Sequence, residues 1–554
     1  MADRVDRSEN FVLQAGILAA AGIITRIIGL LYRSPLDSII GELGLGYYSS
    51  AYNYYTIILL ISSYSIPAAI SKVMAQKLGA KEYINAYRLF KCALAYVLTV
   101  GGAASLFLWF GAGLFVEESA IPVLRTFAPT VFIYGILGVL RGYFQAHKSM
   151  VQTSISQIIE QIINAGVSIG MAYLLIKLTF GTMELPATEE GQILRGVRGA
   201  MGSAMGTGAG VLVALLFMAW LYFNNRQKLI RKAYEDNRPK VDSIPEILKI
   251  ITFVVTPFIL STFVYNLNDT INNKLYMDIY PSRMRLNMVD ITSNYGIFSG
   301  KVLTISKIPI AFASAMASAM IPSVAELIAM NDQKRAREKI ALAVKSTMLI
   351  SIPCAFGIFA LAKPVTKLIF PATKAESLEK AGILLMAISL SIIFYALSTL
   401  NSSILQGLGK VNTPIINAAA ALAVQTITAV VLLFYTPLDL YSIAVANTLY
   451  SGIMCVLNQW AVRRAIDYRQ EIGRTFIRPG IASALMALMA YIVYRIVYQI
   501  NGSMVIALLP AIIVAVPVYF IILVLIGGVN ERELRSLPKG HIIVKALRKL
   551  HILK

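Results

Sequence analysis

The amino-acid sequence predicts an all-α integral membrane protein. Of its 554 residues, 57% are hydrophobic and only 14% are charged, which leaves too little polar surface for a soluble chain of this length. Its apolar runs are long enough for helices that cross ~30 Å of hydrocarbon. An open sheet in that environment would leave its edge strands without hydrogen-bond partners. Together these observations favour a bundle of membrane-spanning helices.

Fourteen helical spans are predicted along the chain, because fourteen apolar runs have the length that a bilayer requires. They lie at roughly 11–33, 46–71, 86–115, 120–144, 150–178, 199–223, 247–273, 292–329, 339–362, 379–407, 413–435, 440–462, 476–498 and 504–528.

The positive charge of the chain follows this layout. Lysine and arginine are about three times as frequent in one alternate set of loops, which includes 72–91, 141–148 and 226–249, as in the other set. The positive-inside rule therefore places both termini in the cytoplasm. Because topology accounts for the formal net charge of +21, we expect no nucleic-acid partner.

Two pairs of segments repeat along the chain. Residues 66–82, IPAAISKVMAQKLGAKE, are similar to 321–338, and residues 144–155, FQAHKSMVQTSI, are similar to 405–416. Two six-helix copies have the same orientation, which is typical of transporters with a central cavity between parallel repeats. The predicted parts are an N-terminal six-helix lobe, a C-terminal six-helix lobe with a basic inner linker, two additional helices, and a basic amphipathic cytoplasmic tail. They cover 1–225, 226–465, 466–530 and 531–554.

Two arginines interrupt the first span, in GIITRIIGLLYRSP at residues 22–35. The helical period places four residues in one stripe, namely Gly22, Arg26, Gly29 and Arg33. An arginine within a bilayer normally faces a cavity or a partner. The stripe therefore predicts an anion-binding wall. As alternatives, Arg33 extends its side chain to the membrane surface and Arg26 pairs with a buried carboxylate.

The eighth predicted span contains two lysines, Lys301 and Lys307. Six residues correspond to about 600° of helix rotation, so the two side chains point to faces about 120° apart. We expect Lys301, which follows Ser299 and Gly300, to be the better cavity residue.

Polar residues concentrate in two further spans. Asn266, Asp269 and Asn273 in the seventh span predict either a cavity wall with a cation site at Asp269 or a helix end that emerges into water. Glu160 and Gln161 in the fifth span are candidates for the cavity or for polar contacts between helices.

Several motifs of catalysis are missing from the sequence. It contains no nucleotide-binding loop with a terminal Ser or Thr and no metal-type Cys/His spacing. We therefore expect a membrane transporter and not an enzyme, without a cofactor. The driving force would be a sodium or proton gradient, the membrane potential or the gradient of the substrate itself.

Several segments resemble one known group. TRIIGLLYR at 25–33, LRGYFQAHKSMVQTSISQIIEQII at 140–163, IPAAISK and IPSVAE are similar to the MOP superfamily. Within it, they resemble the MurJ-type lipid II flippases, the polysaccharide exporters and the stage V sporulation protein B subgroup.

The resemblance implies fourteen helices around a cationic cavity that binds the diphosphate of an undecaprenyl-linked glycan. Arg26 matches a first-span arginine of the flippases, and Arg33 is displaced by one residue from a second. Lys301 replaces an eighth-span arginine, while Leu59 and Leu60 stand where the family has a basic residue. By the same resemblance, the last two helices form a groove for the lipid tail, and Asp269 fits a seventh-span acid.

The first functional hypothesis is an outward flippase for lipid II in a bacterial cytoplasmic membrane. Such a protein contributes to peptidoglycan synthesis and cell shape, and its partners would be membrane lipids and cell-wall synthases. The alternatives are a flippase for a capsule or spore-envelope glycan, a drug or cation antiporter, and a non-transporting scaffold for cell-wall assembly.

Overall fold

The computed structural model describes residues 21–529, apart from 23, 65, 148, 235, 237–240 and 285–286. Every regular element among these residues is a helix. Eleven of the described helices are long and apolar enough to cross a membrane. The predicted all-helical membrane fold is therefore confirmed. The predicted spans 11–33, 46–71 and 247–273 are not among the eleven, and residues 11–20 lie outside the described part, so the count of fourteen stays a prediction.

The chain divides into two compact units, Met1–Met277 with Leu286–Gly296 and Asp278–Arg285 with Ile297–Lys554. Helix α1 covers residues 21–31 apart from 23, which is not described. Eight helices follow it before the second unit continues at Ile297. They are α2 Arg33–Leu59, α3 Ile66–Gly79, α4 Tyr83–Phe110, α5 Ile121–Ala146, α6 Met150–Phe180, α7 Glu189–Tyr234, α8 Ile244–Met284 and α9 Met288–Gly296.

The remaining helices belong to the second unit. They are α10 Leu303–Ala329, α11 Gln333–Ala360, α12 Ala362–Ile369, α13 Ala375–Gly407, α14 Asn412–Tyr435, α15 Leu440–Ile466, α16 Arg478–Asn501 and α17 Met504–Leu525. Short π-helical turns at Leu60–Tyr64 and Ile297–Val302 lead into α3 and α10. The Tyr519 hydroxyl of α17 donates to the Leu349 carbonyl of α11 over 2.9 Å. This hydrogen bond joins the last helix to α11 within the second unit.

A kinked helix replaces the loop predicted between the first two spans. Backbone hydrogen bonds from Tyr32 N to Ile28 O and from Leu36 N to Tyr32 O carry the helix past residue 33. Pro35 is tolerated there because it lies in the first turn of α2. The break comes at Gly41, whose φ of 68° is left-handed. Arg195 of α7 donates to the Ile39 carbonyl over 2.9 Å, so the carbonyl exposed by the break is hydrogen-bonded.

We expect Gly41→Ala to lower the thermal unfolding midpoint of the purified protein, because its φ of 68° and ψ of −177° lie in a region that only glycine adopts readily and that costs other residues about 1–3 kcal/mol. The matched control is Gly166→Ala in α6, where an added Cβ meets no atom within 4 Å. That change should raise the midpoint, since alanine is favoured over glycine in a helix by about 1 kcal/mol. Equal midpoints for the two variants would contradict the role assigned to Gly41.

The two repeated sequence pairs coincide with matching backbone turns. After α3, Lys81 has φ 59° and Glu82 N donates to Lys77 O; after α10, Asn331 has φ 57° and Asp332 N donates to Leu327 O. The second pair shares its turn as well, as Ser149 N donates to Phe144 O and Lys410 N donates to Leu405 O. The backbone similarity therefore accompanies the sequence similarity at both places.

The segment between α7 and α8 is anchored in the first unit. Lys77, in the last turn of α3, forms ion pairs with Glu82 over 2.9 Å and with Asp242 over 2.5 Å. Asn85 of α4 accepts a hydrogen bond from Asp242 N, and Arg88 donates to the Asp242 carbonyl. Three residues of α3 and α4 thus contact Asp242, an acidic residue in the otherwise basic linker.

Candidate functional site

The predicted arginine stripe runs along α1 into α2. Because hydrogen bonding continues through Tyr32, Arg26 and Arg33 stay on nearly the same helix face, about two turns apart. Arg26 is exposed and Arg33 is half-buried, close enough to Tyr48 for an electrostatic interaction. A Cβ built at Gly29 would lie 3.8 Å from Gln161 Oε1 of α6. The stripe therefore runs beside the polar face of α6.

Glu160, one residue before Gln161, is paired with an arginine that the charge count had assigned to the cytoplasmic segment 141–148. This assignment of Arg141 is wrong, because α5 continues to Ala146 and buries the side chain to 4% exposure. Arg141 Nη2 lies 2.7 Å from Glu160 Oε2, and Arg141 Nε donates to Ser156 Oγ over 2.9 Å. Arg141 is thus buried together with the carboxylate of Glu160, which neutralises its charge.

In the second unit, a network of asparagine and serine side chains includes the residue that corresponds to Arg141 in the sequence repeat. Asn458 of α15 donates to Ser398 and Ser402 of α13 over 3.1 and 3.0 Å, and it accepts from Asn417 of α14 over 2.9 Å. The offset that relates 144–155 to 405–416 also relates Arg141 to Ser402. The sequence analysis predicted neither the Arg141–Glu160 pair nor the Asn458 network. The offset between the repeats was the signal that could have located the Asn458 network.

The seventh predicted span contributes to a polar cluster in the first unit, between α2, α8 and α9. Ser50 donates to Asn273 Oδ1 over 3.2 Å, Asn53 donates to the Tyr295 hydroxyl over 3.4 Å, and that hydroxyl donates to the Asp269 carbonyl over 3.4 Å. Asn273 is buried, Asp269 is half-buried and Asn266 is exposed. The cluster ties three helices together.

Carboxylate and amide oxygens are the ligands of hard cations, so the cluster has the donor chemistry for the predicted cation at Asp269. Within the described residues, however, no three or more His, Cys, Asp or Glu side chains group closely enough to hold a metal ion. The cation at Asp269 stays a prediction.

The two lysines of the eighth predicted span have different environments. Lys301, in the π-helical turn after α9, is 1% exposed, donates to Thr373 Oγ1 over 2.9 Å and lies 5.9 Å from the centroid of the Phe370 ring. Lys307 is exposed in α10. The side chains therefore occupy different faces, and Lys301 contacts the segment between α12 and α13.

The fold defines a class of proteins, helical membrane proteins with many spans. A solved structure titled lipid II flippase MurJ, inward closed conformation, superposes with a TM-score of 0.64 at 14% identity, covering 91% of this chain and 97% of that one. An inward-facing multidrug transporter of the MATE family of the MOP superfamily gives 0.61 at 16% identity, covering 82% and 98%. These similarities concern the fold.

The sequence identifies the family within that class. A family model described as lipid II flippase MurJ matches residues 66–515, and the chain belongs to the MurJ family. Lipid II flippase MurJ of Bacillus subtilis (strain 168) is 24% identical over 90% of this chain and 92% of its own. From the same organism, the uncharacterized membrane protein YabM is 24% identical over 99% of both chains, and stage V sporulation protein B is 23% identical over 97% and 99%.

Proposed function

We propose that this protein moves an undecaprenyl-diphosphate-linked cell-wall precursor, lipid II, to the outer face of a bacterial cytoplasmic membrane by alternating access. The observation that carries the proposal is the Arg26–Arg33 stripe in a chain of the MurJ family. Arginine binds diphosphate oxygens through pairs of charge-assisted hydrogen bonds. A drug antiporter needs acidic groups for its cations instead.

The proposal includes the finer architecture. Fourteen spans would form two six-helix lobes around the cavity, with the last two helices outside the repeat and both termini in the cytoplasm. Lys301 and Lys307 would add positive charge, and transport would be coupled to sodium, protons or the membrane potential. Asp269 is the proposed residue for a coupling cation, with Asn266 and Asn273 beside it. The partners would be lipid II, membrane lipids and cell-wall synthases.

A second candidate is a flippase for another lipid-linked oligosaccharide of the capsule or spore envelope. It is favoured by the similar identity of this chain to MurJ, at 24%, and to stage V sporulation protein B, at 23%. The two candidates share diphosphate chemistry and differ in the glycan.

The test is a lipid II translocation assay in cells whose own flippases have been depleted and which carry only this protein. We expect lipid II to become accessible at the outer face at a rate well above that of cells with an empty vector. A rate equal to the empty vector, with the protein present in the membrane, would reject lipid II as substrate. The same assay with a spore or capsule precursor would then test the second candidate.

A further inference from the structure

An acidic residue occupies an unusual position between α4 and α5, outside the membrane spans. Glu117 has an extended backbone just before the short turn Glu118–Ala120. Its carboxylate accepts a hydrogen bond from Thr292 Oγ1 of α9, at 3.1 Å to Oε1 and 3.5 Å to Oε2. Among the described residues, no basic side chain pairs with this carboxylate. A half-buried acid is thus held by one neutral hydroxyl.

Thr292 lies at a close crossing of α9 over α2. A Cβ added at Gly46 would lie 2.1 Å from the Thr292 carbonyl oxygen, and one added at Gly296 would lie 2.0 Å from the Glu42 carbonyl oxygen. Only glycine allows the two backbones to approach this closely. The hydroxyl that Glu117 binds therefore belongs to the interface that docks α9 on the rest of the first unit.

Among the described residues, no positive charge contributes to the shift in the pKa of Glu117. Tyr47 of α2 interacts electrostatically with both Glu117 and Glu189 of α7. Three charged side chains at this end are exposed, namely Glu118, Arg125 and Asp290. Three others are half-buried, namely Glu42 of α2 and Arg195 and Arg198 of α7. Burial raises the pKa of Glu117 from 4.5 to about 7, and the weaker opposing effect is the Thr292 hydrogen bond.

We propose that Glu117 is a proton-binding site that controls the docking of α9: its protonated form holds α9 against α2, and its ionised form releases it. A neutral acid remains hydrogen-bonded to Thr292 in an apolar setting, whereas a carboxylate there lacks the hydration that it gains on release. The π-helical turn that carries Lys301 follows α9 directly. Release of α9 therefore also affects the position of Lys301, a proposed cavity residue. The link to transport rests on the proposed function, while proton binding itself does not.

The direction of the pH effect follows from the raised pKa. The docked form binds the proton more tightly than a released, hydrated form with the ordinary pKa of 4.5. Docking is therefore favoured as the pH falls through about 7. With these two values, the ratio of docked to released α9 should rise about tenfold between pH 8 and pH 6.

The test measures the distance between spin labels on the full-length protein in nanodiscs. Leu114, 77% exposed, and Met288, 37% exposed, give label sites beside Glu117 and at the start of α9. Cys92, Cys354 and Cys455 are first replaced by alanine. Double electron–electron resonance should show the docked distance at pH 6 and a second, longer distance at pH 8. An unchanged distance distribution across this range would overturn the proposal.

Variants of the two adjacent acids assign the effect. Glu117→Gln should keep the docked distance at both pH values, Glu117→Asp should retain a pH response, and the exposed neighbour Glu118→Gln should behave as the parent protein. A full response in Glu117→Gln, or a lost response in Glu118→Gln, would overturn the assignment. No lipid-linked substrate is present, so failure of the lipid II assay leaves this result unaffected.

Discussion

Replacing Arg26 by alanine is expected to abolish growth of a flippase-depleted strain that depends on this protein, while the variant still reaches the membrane. The exposed guanidinium of Arg26 lies on the face of α1 that runs into Arg33. A hydrogen bond to a charged group contributes about 1.5–3 kcal/mol, so its loss should weaken diphosphate binding by about 10- to 100-fold. Growth and membrane abundance are measured in parallel.

Two further variants make the Arg26 result specific. Arg26→Lys keeps the charge but loses the planar pair of donors, so we expect intermediate growth. Lys410→Ala removes an exposed positive charge from the turn between α13 and α14 and should grow as the parent. Normal growth of Arg26→Ala would reject the role of Arg26. It would favour a scaffold, which has no need of an arginine in this position.

Removing either partner of the Arg141–Glu160 pair is expected to destabilise the protein by about 3–5 kcal/mol, because one charge is left buried without its partner. The side chains are only 5% and 17% exposed. Arg141→Met and Glu160→Gln should each lower the thermal unfolding midpoint strongly. The double variant should lose much less than the sum, since it leaves no unpaired charge.

The exposed pair of Lys363 and Glu379 provides the control for this cycle. Its side chains are 39% and 57% exposed, and an exposed ion pair contributes about 0–1 kcal/mol. Glu379→Gln should therefore leave the unfolding midpoint nearly unchanged. Additive losses in the Arg141→Met, Glu160→Gln double variant would show that the two side chains are stabilised separately, against the assigned pairing.

Hydropathy predicted the helical membrane fold because span formation depends on local composition, as in the long apolar runs of α13 and α17. It failed near Gly41. The predicted spans 11–33 and 46–71 leave residues 34–45 outside any helix, whereas the observed kinked helix includes them and is hydrogen-bonded at Ile39 by Arg195, 156 residues away in α7. Contacts of that kind leave no periodic signal in a single sequence.

The candidate site shows the same limit. Helix periodicity placed Arg26 and Arg33 on one face, and the rotation between Lys301 and Lys307 predicted their different environments. Charge counting assigned Arg141 to the wrong environment. In the sequence alone, a basic residue that lies in a loop cannot be distinguished from one near a span end whose side chain points inward to a carboxylate such as Glu160. The hydrogen bond between Glu117 and Thr292 spans 175 residues, so the sequence alone gives no indication of it.

The buried pair of Arg141 and Glu160 also bears on how the chain enters the membrane during synthesis. The two residues are 19 apart, on α5 and α6, which are separated by three residues. An arginine opposes the insertion of a lone helix by about 2.5–3.5 kcal/mol at the helix centre and by less near its end, where Arg141 lies. Insertion of α5 and α6 as one hairpin lets the carboxylate neutralise that charge on entry. Because the connection is short, we expect α5 and α6 to insert together as one helical hairpin, before the later helices are synthesised.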